Sequence, residues 1–345
     1  MKRTVRSVML VAGFMFAMVI AGLPVMQAGV VAQTTSTPAG SPVTGSSRIA
    51  AAAAGAAGWL VSQQADDGSF AGFSGKADAG TTVDAILALV AARDAGVDVG
   101  SSIDDAVGYL ASGDIALVYT QTGVGQAAKL ALGLIATGQN PDDFAKVSPL
   151  LILEHGLNAD TGFYGTGLYD TALTMLAFTA TGKEIPASVF DVLASSQADN
   201  GGWAYDGTPD AANADSNTTS MVVQALVASG HGDSELVAGG VTYLKATIVD
   251  GGAAFNVAPG AAADANSTAL VVQGLLAVGE DATPLLAALE SFQNADGSLY
   301  FNAETPGPNL LATVQAIPAW AKVVFPIVPE AIDVATPVAI FPHAA

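Results

Sequence analysis

The chain has 345 residues, 51% of them apolar and only 12% charged, enough apolar material for one large or two ordinary domains and far from the composition of a disordered chain. With 11 Lys and Arg against 31 Asp and Glu, the formal net charge is −20, a field that repels nucleic acid and anionic membrane surfaces. Cysteine is absent, which excludes disulfides, thiolate metal sites and a cysteine nucleophile.

Residues 1–32 read as an export signal. Lys2, Arg3 and Arg6 form a basic start, Val8–Leu23 is apolar, and Pro24 and the small Ala28 and Ala32 follow. The expectation is a cleaved segment and a secreted or extracytoplasmic (cell-envelope) protein with no membrane span after cleavage. The alternative is a retained anchor, since the apolar run is just short of the roughly 20 residues that cross a bilayer. Residues 33–47 are a Ser/Thr/Pro/Gly linker without an apolar period. The folded part is expected over 48–325, and 326–345 reads as an irregular, proline-containing tail.

Along the folded part a turn recurs. "QADDGSF" carries Gln64, Gly68 and Phe70; "QADNGGW" carries Gln197, Gly201 and Trp203; "QNADGSL" carries Gln293, Gly297 and Leu299. A fainter copy, "NADTGFY", begins at Asn158. Gln64 to Asn158 is 94 residues and Gln197 to Gln293 is 96, so each gap has room for one further unit, near "YLASGDIALVY" and "TIVDGGAAF". Six units of roughly 40 to 50 residues follow, a length that signals a repeat architecture.

Each unit has two kinds of segment. Those before the turn, such as "ELVAGGVTYLKATI" and "PLLAALESFQN", are amphipathic with apolar residues three and four apart. Those after it are apolar nearly all round: "TVDAILALVAARDAG", "GQAAKLALGLIATG", "DTALTMLAFTATG", "TSMVVQALVASG" and "STALVVQGLLAVG". Most begin near a polar capping residue and end at Gly. A helix apolar on every side must be buried on every side. The spacing therefore predicts an all-α fold, a closed α6/α6 toroid: a double ring of six helical hairpins, twelve helices with the apolar ones inside. In the turn, the Gln amide can satisfy backbone groups left open at a helix end, and the Gly suits a left-handed conformation. That reading makes the turn a staple between neighbouring hairpins.

Gln197-x3-Gly201-x-Trp203 resembles the QW motif of squalene and oxidosqualene cyclases, with degenerate copies at Phe70 and Leu299. "DANSTALVVQGLLAVG" and "DTALTMLAFTATG" resemble inner helices of the wider α/α-toroid superfamily. That group holds terpenoid cyclases, protein prenyltransferase β subunits, complement-type thioester domains and the cobalamin carriers transcobalamin and intrinsic factor. The resemblance spans roughly 48–325 and implies the fold far more than an activity. For a cyclase it implies an Asp-x-Asp-Asp-Thr-Ala acid run. Asp215–Ser216–Asn217–Thr218–Thr219–Ser220 and Asp264–Ala265–Asn266–Ser267–Thr268–Ala269 keep only the first carboxylate, and neither an amide nor a hydroxyl protonates an alkene. The zinc of the prenyltransferases and the thioester of the complement domains both need a Cys.

His155, His231 and His343 are widely spaced, so no metal site is expected, and no cofactor or catalytic residue is assigned. The loops into the apolar helices do carry matching polar groups: Asp78 and Thr81, Gln126, Tyr169 and Asp170, Asp215 and Asn217, Asp264 and Asn266, Asn309. Singly these are helix caps. In a closed ring they would converge on one mouth as a polar rim over an apolar floor, with Trp203, Tyr205 and Tyr164 adding flat surfaces. The expected function is a monomeric, non-catalytic binding protein for a small molecule, corrinoid or glycan. The corrinoid version is weakened because too few residues follow 325 for the second, β-rich domain that the resemblance to the carriers implies. The alternatives are a terpenoid cyclase-like enzyme with a non-standard acid at Asp215 or Asp264, a carbohydrate-binding or carbohydrate-active envelope protein, and a structural or adhesion module.

Overall fold

The computed structural model describes residues 45–329; the export-signal reading of 1–32 and nearly all of the linker and tail lie outside them. In chain order the helices are α1 (Gly45–Ser62), α2 (Ala79–Asp94), α3 (Ser102–Ala111), α4 (Ile115–Thr120), α5 (Val124–Ala136), α6 (Pro149–Glu154), α7 (Leu168–Thr181), α8 (Ala187–Ser196), α9 (Ser216–Ala228) and α10 (Glu235–Ala246). A short antiparallel pair, β1 (Ile248–Val249) and β2 (Gly252–Ala253), precedes α11 (Ala265–Ala277), α12 (Thr283–Glu290) and α13 (Leu310–Trp320). The described residues thus hold 13 helices where the repeat predicts twelve. The extra one is α4, and α1 already includes residues 45–47 of the stretch read as linker.

The segments that are apolar all round become α2, α5, α7, α9, α11 and α13. Each packs on the next in that order, and α13 packs on α2. Their burial follows from composition: between Thr82 and Ala92 of α2, every residue except Asp84 is buried. The amphipathic helices pack outside, and α1 touches α12 and α13. Arg48 reaches Glu290 at 2.5 Å across the same junction.

The inner helices all start at one end. The first N–H of α7 donates to Tyr205 O in the loop before α9 (2.8 Å), that of α9 to Phe255 O before α11 (2.7 Å), and that of α11 to Phe301 O before α13 (2.9 Å). At the opposite end, beyond α13, Phe325 N–H donates to the buried Gln224 Oε1 of α9 at 3.0 Å.

The glutamine turns hold the outer helices together. Gln64 Nε2 donates to Gly68 O and to Ser102 O of α3, both at 2.9 Å. Gln197 Nε2 donates to Gly201 O at 2.8 Å and to Leu236 O of α10 at 2.9 Å. Gln293 Nε2 donates to Gly297 O at 3.0 Å and to Ala52 O of α1 at 2.8 Å, joining the last hairpin to the first. Gly201 has φ +86°, and a Cβ there would overlap Gly239 O of α10, so both conformation and packing demand glycine. Phe70, Trp203 and Leu299 are fully buried beneath these turns. Their N–H groups donate to Thr82, Thr219 and Thr313 Oγ1 at 3.0, 2.9 and 2.9 Å. The second unit replaces the turn by α4, and the fifth replaces it by the β1–β2 hairpin through Asp250 and Gly251.

Candidate functional site

A cleft of about 730 Å³ opens at the mouth between the starts of α2, α5 and α7. Its walls are set by ordinary helix-start chemistry. Asp78 caps α2, accepting from Thr81 N at 2.7 Å and Thr81 Oγ1 at 2.8 Å. Asp170, in the first turn of α7, accepts from Thr166 N at 2.9 Å and Thr166 Oγ1 at 2.8 Å. A Cβ on Gly125 would overlap the Asp170 carboxylate, so the glycine lets α5 approach it closely.

One turn deeper, Asp84 of α2 meets Lys129 Nζ of α5 at 2.8 Å. Both side chains are about a quarter exposed (24% and 27%), and both line the cleft. Burial works against the Lys129 ammonium, but the Asp84 carboxylate outweighs it and holds the group above the usual lysine range. Tyr119 from α4 and Tyr169 from α7 stand beside the pair. Burial pushes both hydroxyls up to about 12, with the Lys129 charge pulling the other way. Both tyrosines are thus neutral hydrogen-bonding groups at any ordinary pH.

Below the ion pair lies a chamber of about 50 Å³ that shares Asp84, Lys129, Tyr169 and Leu173 with the cleft and has Phe325 in its wall. Gln273 also lines it; this side chain is 1% exposed and its Oε1 has no hydrogen-bond partner. Phe325, on the segment beyond α13, thus contributes to the chamber's wall and not to that of the cleft.

Of the residues singled out from sequence, Gln126, Tyr169, Asp170, Asp78 and Thr81 line this cleft. Asn309 caps α13, accepting from Ala312 N at 2.9 Å, and lines an adjoining groove of about 200 Å³ with Thr81 and Asp84. Asp215 and Asp264 line neither; they are buried caps of α9 and α11, bonded to Thr218 N at 2.7 Å and Ser267 N at 2.8 Å. Burial pushes Asp215 up to about 6, against the downward pull of its hydrogen bonds, and raises Asp264 for the same reason. Asn217 is half-buried beside Ser216, and Asn266 Nδ2 donates to Gln315 Oε1 at 2.8 Å. Trp203 differs from its expected place as a surface at the mouth. It is wholly enclosed, its Nε1 donating to Leu193 O at 2.8 Å, because the turn draws the ring under the hairpin. Tyr164 is likewise buried, whereas Tyr205 is 47% exposed with its hydroxyl against Thr166 Oγ1.

Sequence reading missed Asp84, Lys129, Tyr119 and Phe73. The first two had a legible signal: each is a single charge inside an otherwise apolar stretch, "TVDAILALV" and "AAKLALGLI". An isolated charge in a helix buried all round needs a partner or an opening.

No family model matches the chain and no curated protein matches it. Solved structures do. A variant of the type II terpene cyclase MstE from Scytonema superposes with a TM-score of 0.61 at 15% identity, covering 81% of this chain and 97% of that one. A second MstE variant, in complex with geranylgeranyl dihydroxybenzoate, gives 0.59 at 14% identity over 81% and 98%. An inactive variant of an alpha-1,6-mannanase from Salegentibacter sp., in complex with alpha-1,6-mannotriose, gives 0.60 at 10% identity over 79% and 98%. At such identities the likeness is one of fold: the chain shares the mostly helical architecture of enzymes that act on quite different molecules.

Proposed function

We propose that the helices form a closed α6/α6 toroid serving as a non-catalytic binding protein, which takes a polar, uncharged ligand, or one unit of a larger one, in the cleft. One observation carries this reading: every carboxylate in the cleft is already engaged. Asp84 is paired with Lys129, Asp170 takes two bonds from Thr166, and Asp78 takes two from Thr81. General acid catalysis needs a carboxyl that holds its proton and reaches the substrate. The two carboxyls that burial raises, Asp215 and Asp264, are buried caps that do not line the cleft. A dry apolar tunnel for a prenyl chain is equally poorly supported, since an ion pair and two tyrosines occupy the depth of the ring. What the cleft offers is a set of fixed donors and acceptors (Lys129, Tyr119, Tyr169, Gln126) over Leu173, the usual make-up of a small-ligand site. On the export reading of residues 1–32, the protein works as a monomer outside the cytoplasm.

Calorimetry with short oligosaccharides, free monosaccharides, a corrinoid and a prenyl alcohol tests the reading. The expected result is saturable binding of a hydroxyl-rich compound, weakened at least tenfold by Lys129→Met or Tyr169→Phe, with the compound recovered unchanged after long incubation. A released product, or binding indifferent to both variants, would sink it.

A further inference from the structure

The end of the molecule at which the inner helices start, and at which the cleft opens, carries the exposed aromatic surface. Among the described residues, the large aromatic side chains left exposed are Phe73 at 94%, Tyr205 at 47% and Phe255 at 44%, and all three stand in loops that lead into inner helices. The other exposed large apolar residues are aliphatic. The placement repeats. Tyr205 follows the buried Trp203 by two residues, Phe255 follows the buried Ala253 by two, and the half-buried Phe301 follows the buried Leu299 by two. Each is fixed by its carbonyl, which accepts the first N–H of the preceding inner helix. That bond is a backbone bond and asks nothing of the side chain, so the fold does not require an aromatic at any of these places. Phe73 sits on a tight Gly72–Gly75 turn, closed by Gly75 N to Gly72 O at 2.9 Å, and lines the cleft itself. Tyr205 is connected to the cleft through its hydroxyl, which meets Thr166 Oγ1, the group that donates to Asp170.

Phe73 on a cleft of carboxylates, amides and phenols, with Tyr205 and Phe255 exposed at the same end, suits a molecule that is apolar on the face of a ring and polar at its edge. A sugar ring has that form: its axial C–H bonds lie against an aromatic face while its hydroxyls pair with polar groups around it. A nucleotide also stacks, but its phosphate meets a protein of net charge −20. A bare cation wants free carboxylates, and those of the cleft are engaged. We propose that the mouth is a platform for a neutral polysaccharide, whose successive rings lie on Phe73, Tyr205 and Phe255 while one sugar unit dips into the Tyr169–Lys129 cleft. This rests on the reading of the cleft as a polar-ligand site and adds that the ligand is a polymer held by the rim.

Affinity electrophoresis through gels containing mannan, a soluble β-glucan or alginate is the test. The expected result is retardation by a neutral polysaccharide and none by anionic alginate. The triple variant Phe73→Ala/Tyr205→Ala/Phe255→Ala should lose at least tenfold in affinity while melting within a few degrees of the parent. Phe73→Ala alone, at the most exposed of the three positions, should lose severalfold. Absence of retardation in every neutral gel overturns the proposal, as does retardation that the rim variants leave unchanged. If oligosaccharides still bind by calorimetry and respond to Lys129→Met in either of those cases, the cleft reading stands and only the platform falls.

Discussion

Asp215 and Asn309 hold the same place at the start of α9 and α13, each accepting from the N–H three residues on, yet only Asp215 has a proton to lose. Burial raises its folded pKa from 3.8 to about 6, so the folded state holds the proton more tightly than the unfolded chain. The stabilisation linked to that proton is complete below about pH 4 and is lost as pH rises through 6. A rise from 3.8 to about 6 corresponds to about 3 kcal/mol. Asp215→Asn keeps a good cap without the buried charge. The expected outcome is a variant more stable than the parent by about 1–3 kcal/mol at pH 8, with the gap closing by pH 4, read from urea melts at both pH values. Glycines give a second contrast at this scale. Gly201→Ala meets both a left-handed backbone and the Gly239 carbonyl, and should cost about 3 kcal/mol. Gly279, at φ +74° with nothing within 4 Å, should cost only about 1 kcal/mol as Ala. Equal losses in thermal melts would show that the packing against α10 contributes nothing.

Between elements, the glutamine turns decide how hairpins are joined. Gln293 is the sharpest case, because its bond to Ala52 O spans 241 residues of sequence. Gln293→Ala leaves two carbonyls without their donor, and the expected cost is about 1–3 kcal/mol, with amide exchange accelerated most in α1. An α1 protected as before would mean that helix packing alone holds the junction. These turns were readable in the sequence because one short string fixes three roles: the amide donor, the left-handed glycine and the buried residue. The caps Asp78, Asp215, Asp264 and Asn309 were readable for the same local reason. For the second and fifth units only the place was legible, at 109–119 and 247–255; that α4 and the β1–β2 hairpin do the turn's work there, with no glutamine, was not. Nor was the depth of the cleft. Asp84 and Lys129 lie 45 residues apart on different helices, and only the packing of α2 on α5 brings them together. Trp203 was misplaced because proximity to a loop says nothing about which way the turn carries a ring.

At the scale of the whole molecule, Asp84–Lys129 is, among the described residues, the one ion pair that joins two inner helices. Asp84→Asn strands the ammonium and should cost about 3 kcal/mol, whereas Asp84→Leu with Lys129→Met should recover most of it and still bind no ligand. Chemical denaturation and calorimetry on the same two proteins separate stability from recognition. Ser46, near the beginning of α1, shares a groove with Trp320 at the close of α13, and Val328 packs beside the last turns of α7 and α9. Both extremities of the described body therefore leave from its underside. Grafting it to a bead, a wall or a second protein through either extremity would hold the opening outward, like a cup standing on its base, within reach of long chains in the surrounding medium.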